Sequence, residues 1–199
     1  MTNTFRNSDL FFTLINVPGP LHANYVKIVK DWFEHSYDAK YRYIEDSDII
    51  KESHKLVDID QYYPGVSTIG IVSNPWVRMV KGWEISKSYP QKFIDLGIDL
   101  SSFENSIRSF KNVDPNRYLQ SRWLSYTRQD GTTRNADYIL REEHIQEDFK
   151  PILDYFESSR VLDVPEIPVI DYRSYFSDEL KNDAYEIFKE DFDLLGYEF

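Results

Sequence analysis

Thr68-Ile-Gly-Ile-Val-Ser-Asn-Pro-Trp-Val-Arg-Met-Val-Lys-Gly-Trp83 carries the signals of a buried strand leading directly into a helix. Its first five residues form a short apolar run, the pattern of a strand buried on both faces. Asn74 and Pro75 then mark a helix start, because an Asn side chain caps free backbone N–H groups and proline at the first helical position sacrifices no hydrogen bond. Behind them Trp76, Met79, Val80 and Trp83 recur at helical spacing and supply a stripe to bury.

The same strand-to-helix grammar appears on either side. Leu10 to Val17 is an apolar run closed by Pro18-Gly19-Pro20, and Leu21, Tyr25, Ile28, Val29, Trp32 and Phe33 then follow at helical spacing. A second strand is expected at Lys40 to Ile44, with a mixed helical segment from Asp46 to Leu56. Downstream, Ser101 with Glu104 has the form of a capping box for a short helix ending near Phe110, and another helix is expected from Asp114 to Ser125. Gln129 to Arg134 reads as a turn, Asp137-Tyr-Ile-Leu140 as a strand, and Ile145, Phe149, Ile152, Leu153 and Phe156 as a helix face. Pro165 and Pro168 bracket an extended linker. Ser177 is placed to cap a last helix carrying Leu180, Ala184, Ile187, Phe188 and Leu195, which finishes at Gly196.

Strands alternating with helices imply an α/β domain with a mainly parallel sheet flanked by helices and a ligand site at the carboxyl ends of its strands. No repeat or low-complexity segment interrupts it, so residues 1–199 are read as one domain. A hydrophobic fraction of 41%, with 16% aromatic residues, is ample for one core. The formal charge of -11 argues against a nucleic-acid partner, which would be held by clustered Lys and Arg. The chain has no cysteine, which excludes disulfides and thiolate metal sites and is compatible with a reducing compartment. Its start has no signal-peptide core, and no stretch approaches the roughly 18 uncharged apolar residues of a membrane span, so a soluble, cytoplasmic protein without membrane contact is expected.

Four pieces of the sequence, in order, resemble the PAPS-dependent sulfotransferase family, and in particular its members acting on carbohydrate hydroxyls. They are the amino-terminal strand, Pro-containing loop and helix; Ile71-Val-Ser-Asn-Pro-Trp-Val-Arg-Met-Val-Lys-Gly-Trp83, similar to the family's V-R-N-P-x-x-R-x-V-S-x-x; Asp137-Tyr-Ile-Leu-Arg-Glu-Glu143 with Asp148-Phe149; and Tyr175 to Glu179 with Asp191-Phe192 and the closing Gly196-Tyr-Glu-Phe199. The resemblance implies a P-loop-NTPase-like sulfotransferase fold. It also implies 3′-phosphoadenosine 5′-phosphosulfate (PAPS) as co-substrate, no metal, and an acceptor hydroxyl that attacks sulfur in line. Such chemistry needs a base, donors for charge developing on the leaving phosphate, and both reactants held in register.

Carried onto this chain, the resemblance places the donor cradle at Asn16 to Asn24. The family's Lys position holds Gly19, and Pro20 behind it lacks an N–H. Leu21, His22, Ala23 and Asn24, at the helix start, remain to meet an anion; the alternative is a rigid Pro-Gly-Pro turn entering a helix. The family Arg for the 3′-phosphate aligns with Ser73 and a later family Ser with Lys81, whose ammonium serves as a point charge at phosphate but not as a fork. Arg78 matches a second family Arg and is read as packing and ion pairing.

Arg141 either contacts the nucleotide or anchors the strand end to a carboxylate. His54 precedes the Val72-Ser-Asn-Pro75 segment at the distance where relatives place a His, which makes it the candidate base, against an equal reading as a surface His. His35 and His144 have no such positional argument, and four scattered His do not form a metal site. Trp123 reads either as a stacking platform or as core.

Two functions follow from the resemblance. One is an enzyme moving a sulfuryl group from PAPS to a hydroxyl of a carbohydrate or small metabolite. The other is an inactive sulfotransferase-fold binding or scaffold protein that recognises a glycan or a protein.

Overall fold

The computed structural model describes residues 12–15, 25, 27–29, 31–32, 56–57, 67–155, 159, 161–164 and 170–199. The expected strand at 40–44, most of the segment at 46–56, the loop at 16–24, His35, His54 and the linker prolines Pro165 and Pro168 lie outside the described residues.

Ser67–Val72, strand β2, is the centre of the sheet. Phe12–Ile15, β1, pairs with it in parallel, Ile15 opposite Gly70. Tyr138–Arg141, β5, runs parallel on the other side, Val72 opposite Arg141. All three strands therefore end on one edge, and β2 is buried from Thr68 to Val72, as a continuous apolar run requires.

The sheet's two faces follow the two-residue period of its side chains. Ile69, Ile71 and Leu140 pack with the helical residues Tyr25, Val29 and Trp32 and with Phe149 and Ile152, Trp32 meeting Phe149 edge-on at 5.0 Å. Val72 and Ile139 face the other way, towards Leu56, Trp123 and Leu124. Gly70 lies on this second face for a steric reason: a Cβ there would come within 2.1 Å of Leu124 Cδ2.

Beyond β2, Pro75–Ser86 forms α1, started by Asn74, whose Oδ1 accepts from Trp76 N at 2.9 Å. Pro90–Ile94 (α2) and Phe103–Ser109 (α3) pack beside it. The cap of α3 corrects the sequence reading by one residue. Ser101 N donates to Asp99 Oδ1, while Ser102, with extended φ, accepts from Asn105 N and is the true cap.

The single helix expected over 114–125 is also corrected. A 3-10 turn at Pro115–Arg117 is followed by one short helix, α4, at Ser121–Leu124. Pro115 starts the turn behind Asp114, and the chain then straightens into Ser125–Thr127 (β3), which pairs antiparallel with Thr133–Asn135 (β4) around the predicted turn. That hairpin is a small second sheet with no counterpart in the sequence reading.

Ile145–Tyr155, α5, follows β5 closely. The final helix is two helices, Asp178–Ile187 (α6) and Lys189–Leu195 (α7), broken at Phe188. The break lets Leu180, Ala184, Phe188 and Phe192 all reach a third core cluster around Trp76. Ser177 caps α6 through Leu180 N, and Gly196 closes α7 at φ 72°, a left-handed conformation that favours glycine.

Candidate functional site

The carboxyl edge of the sheet gathers three of the site residues singled out from sequence: Ser73 after β2, Lys81 on α1, and Arg141 at the end of β5. Ile15 and Tyr25, which flank residues 16–24 in the chain, belong to the same neighbourhood. Ile15 ends β1 beside Gly70, and the Tyr25 hydroxyl is pushed up in pKa by burial and then by the nearby carboxylates of Glu142 and Glu143. Gly19, Leu21, His22, Ala23, Asn24 and the candidate base His54 lie outside the described residues.

Ser73 is 1% exposed and its Oγ has no hydrogen-bond partner among the described residues. Its backbone is gripped from the side, where Ser73 N donates to Gln120 Oε1 at 3.0 Å and Gln120 Nε2 donates back to Ser73 O at 2.9 Å. Gln120 thus pairs with the strand end as a neighbouring peptide would. Asp191, fully buried, accepts from Gln120 N at 3.0 Å and from Ser121 N at 2.7 Å, which also satisfies the start of α4. Arg78 supplies the countercharge, 3.9 Å from Asp191, and donates to Tyr118 O. Burial pushes the Arg78 guanidinium down in pKa, and Asp191 opposes that shift. Packing and ion pairing is thus how Arg78 is used here. The sequence reading missed Gln120 altogether, and a polar residue whose partner is 47 positions away leaves no periodic trace.

Lys81 lies two turns into α1. Because side chains in a helix tilt towards its amino terminus, its stem reaches back to the sheet edge. There Lys81 Nζ meets Glu142 Oε2 at 3.3 Å, with side chains 14% and 2% exposed. Arg141 is engaged as fully: Nε and Nη2 donate to the two oxygens of Asp148 at 2.9 and 2.7 Å, and its backbone N donates to the same carboxylate at 2.8 Å. The hydrogen bonds it donates to Asp148 hold the guanidinium well above its usual range. Asp148 itself is pushed up by burial, but Arg141's hydrogen bonds and charge outweigh this and hold the carboxyl below its usual value. Tyr197, from the chain's last segment, is pushed up by burial and then by Glu143.

Beside the Arg78–Asp191 pair, the candidate donor residues Lys81 and Arg141 face the carboxylates Glu142, Glu143 and Asp148. Both cations are held by protein carboxylates. Chemically the edge offers a buried hydroxyl at Ser73, an ammonium shared with Glu142, and the start of α1. Trp123, with readings as stacking platform or core, is core: it is 6% exposed, packs with Leu56, Val72 and Leu124, and its indole N–H donates to Asn116 O at 3.1 Å. His144 is exposed and lies 3.5 Å from Glu147. Among the described residues no three His, Asp or Glu come together as metal ligands, and no helix is long and apolar enough to cross a membrane.

No family model matches the chain, and no curated protein does. Among solved structures, mouse sulfotransferase SULT7A1 complexed with PAP aligns over 94% of this chain and 84% of that chain, at 13% identity and a TM-score of 0.40. A likeness of that degree carries no argument about activity. The α/β class with a parallel sheet rests on this chain's own strands and register.

Proposed function

We propose that the protein is a sulfotransferase-like domain whose carboxyl edge takes a 3′-phosphonucleotide, with sulfuryl transfer from PAPS to a hydroxyl acceptor, carbohydrate or small metabolite, as its reaction. The observation that carries this reading is the convergence of the family-like pieces on one edge. The Val72-Ser-Asn-Pro75 segment, the Arg141–Glu142 corner and the two ends flanking residues 16–24 all meet where parallel strands terminate. That edge is where open α/β sheets bind ligands.

On this reading Ser73 Oγ and the amides of residues 21–24 meet phosphate oxygens, Lys81 contributes charge, Arg141 braces the edge through Asp148, and His54 takes the acceptor proton. The cytoplasm suits such an enzyme. The residues fit the donor in part. A buried hydroxyl without a partner is the kind of group a ligand oxygen satisfies, whereas Glu142 beside Lys81 opposes a phosphate dianion.

That second point favours an alternative: a sulfotransferase-fold binding or scaffold protein, in which Glu142 fills the charge role a nucleotide phosphate would otherwise take. Calorimetric titration with adenosine 3′,5′-bisphosphate separates the two. Micromolar binding, about −8 kcal/mol, supports the enzyme and is expected to tighten in Glu142→Gln, which removes the opposing charge, once urea unfolding shows that the variant, with Lys81 left unpaired, is still folded. No heat at high protein concentration rejects the donor site and leaves the binding protein, its partner to be sought among glycans and proteins.

A further inference from the structure

Away from the sheet edge, α1, α2, α3 and the 3-10 turn at Pro115–Arg117 line a half-open cavity of about 180 Å³. Met79, Trp83, Phe93, Ile107, Phe110 and Phe188 give it an apolar, largely aromatic wall. It lies on the face of α1 away from Lys81, so nothing in the proposed nucleotide site uses it.

Gly82 opens directly onto this cavity, and a Cβ built there meets nothing within 4 Å. Glycine weakens a helix interior, and no close approach demands it here, so its local effect is to keep the space clear. The neutral hydroxyls on the wall are already committed, Ser86 Oγ donating to Trp83 O and Ser106 Oγ to Phe103 O, both at 2.7 Å. Arg78 is tied to Tyr118 O and Asp191. Arg117 differs: it lines the cavity, is exposed, and its side chain has no ion pair or hydrogen bond among the described residues. Among the described residues it is therefore a guanidinium at the edge of an apolar hollow that no carboxylate already holds.

We propose that this cavity binds a small amphiphilic anion, a single-ring or similarly compact apolar body bearing a carboxylate, with the carboxylate on Arg117. Size supports the single ring, since an apolar cavity of roughly 150 Å³ is known to hold benzene. Charge supports the acid, because a guanidinium presents paired donors to a carboxylate.

The test is calorimetry of the whole chain with 3-phenylpropionate and with its neutral analogue 3-phenylpropan-1-ol. Saturable binding of the acid with a negative heat-capacity change is expected. Arg117→Gln, at an exposed position, should weaken the acid about tenfold, the scale of one charge-assisted contact, and leave the alcohol unchanged. Gly82→Leu should abolish binding of both while the melting temperature holds or rises. Three outcomes overturn the proposal: no saturable binding to the wild type, a folded Gly82→Leu that binds as the wild type does, or an Arg117→Gln that weakens acid and alcohol alike. Should Gly82→Leu not fold, the Arg117→Gln comparison decides alone.

Discussion

Lys81 shows how one residue's setting changes its chemistry. From sequence it reads as a charge two turns into a helix, displaced from where the family keeps its donors. In the structure that charge is balanced, because Glu142 is nearly inaccessible and needs it. A buried pair is costly to break from one side, about 3–5 kcal/mol, since the survivor is left as an uncompensated charge. Lys81→Ala should therefore lower urea-unfolding stability by that order, while Lys81→Met combined with Glu142→Gln recovers most of the loss. If the double variant is no more stable than the single, the pair is not the cause. The comparison also governs how nucleotide titrations are read, because Lys81→Ala alone would mix lost binding with lost folding.

Arg141 makes the complementary case. Its ion pair was one of two readings available from sequence, and Asp148, seven residues later at the start of α5, is the carboxylate that holds it. Such a pair is legible because both members lie in one short strand-to-helix connection. Gln120 and Ser73 are not, since nothing local links a glutamine to a strand end 47 positions earlier.

At the scale of elements, β2 and the start of α1 were legible because their signals are local: an unbroken apolar run, then Asn and Pro in the order a helix start needs. Asp137 to Leu140, the helix from Ile145 and the closing Gly196 were legible for the same reason. What failed were choices that packing makes. Ser101 and Ser102 are equivalent on paper until Asp99 takes the amide of the first. Residues 178–195 have helical periodicity throughout, yet Phe188 breaks them so that both halves reach Trp76's cluster.

Gly70 illustrates the same point inside a strand. It reads only as a small apolar residue, but its missing side chain is what lets Leu124, fully buried, sit against the sheet. Gly70→Ala should cost about 1–3 kcal/mol by overpacking, measured by thermal or urea unfolding. Leu124→Val in the same chain should return part of it; a Gly70→Ala variant as stable as wild type would mean that α4 is free to shift.

Over the whole molecule, the excess of carboxylates sets the response to acid. Asp148 and Asp183 are both held below the usual carboxylate range. For Asp183 the hydrogen bond from Arg108 is the main cause, and for Asp148 the pull of Arg141 outweighs burial. A carboxyl with a lowered folded pKa contributes stability above the unfolded value, near 4, and that contribution disappears as pH falls through the folded value. Asp148→Asn is therefore expected to be less stable than wild type at neutral pH by about 1 kcal/mol, a figure discounted because Arg141 is partly exposed. The difference should close in unfolding curves measured progressively below pH 4. A gap that persists undiminished to pH 2 would assign the loss to packing instead of charge.

The Gln120 clamp joins distant parts of the chain in a single file. Asp191 in α7 fixes the backbone of Gln120, and the Gln120 side chain fixes Ser73 at the tip of β2. A path of hydrogen bonds thus links the two ends across more than a hundred positions of sequence, and movement at one is expected to register at the other. The Ser73 amide would then be no ordinary strand amide under hydrogen exchange. Its protection would rise and fall with the docking of α7, making it a gauge at the sheet edge for events at the carboxyl terminus.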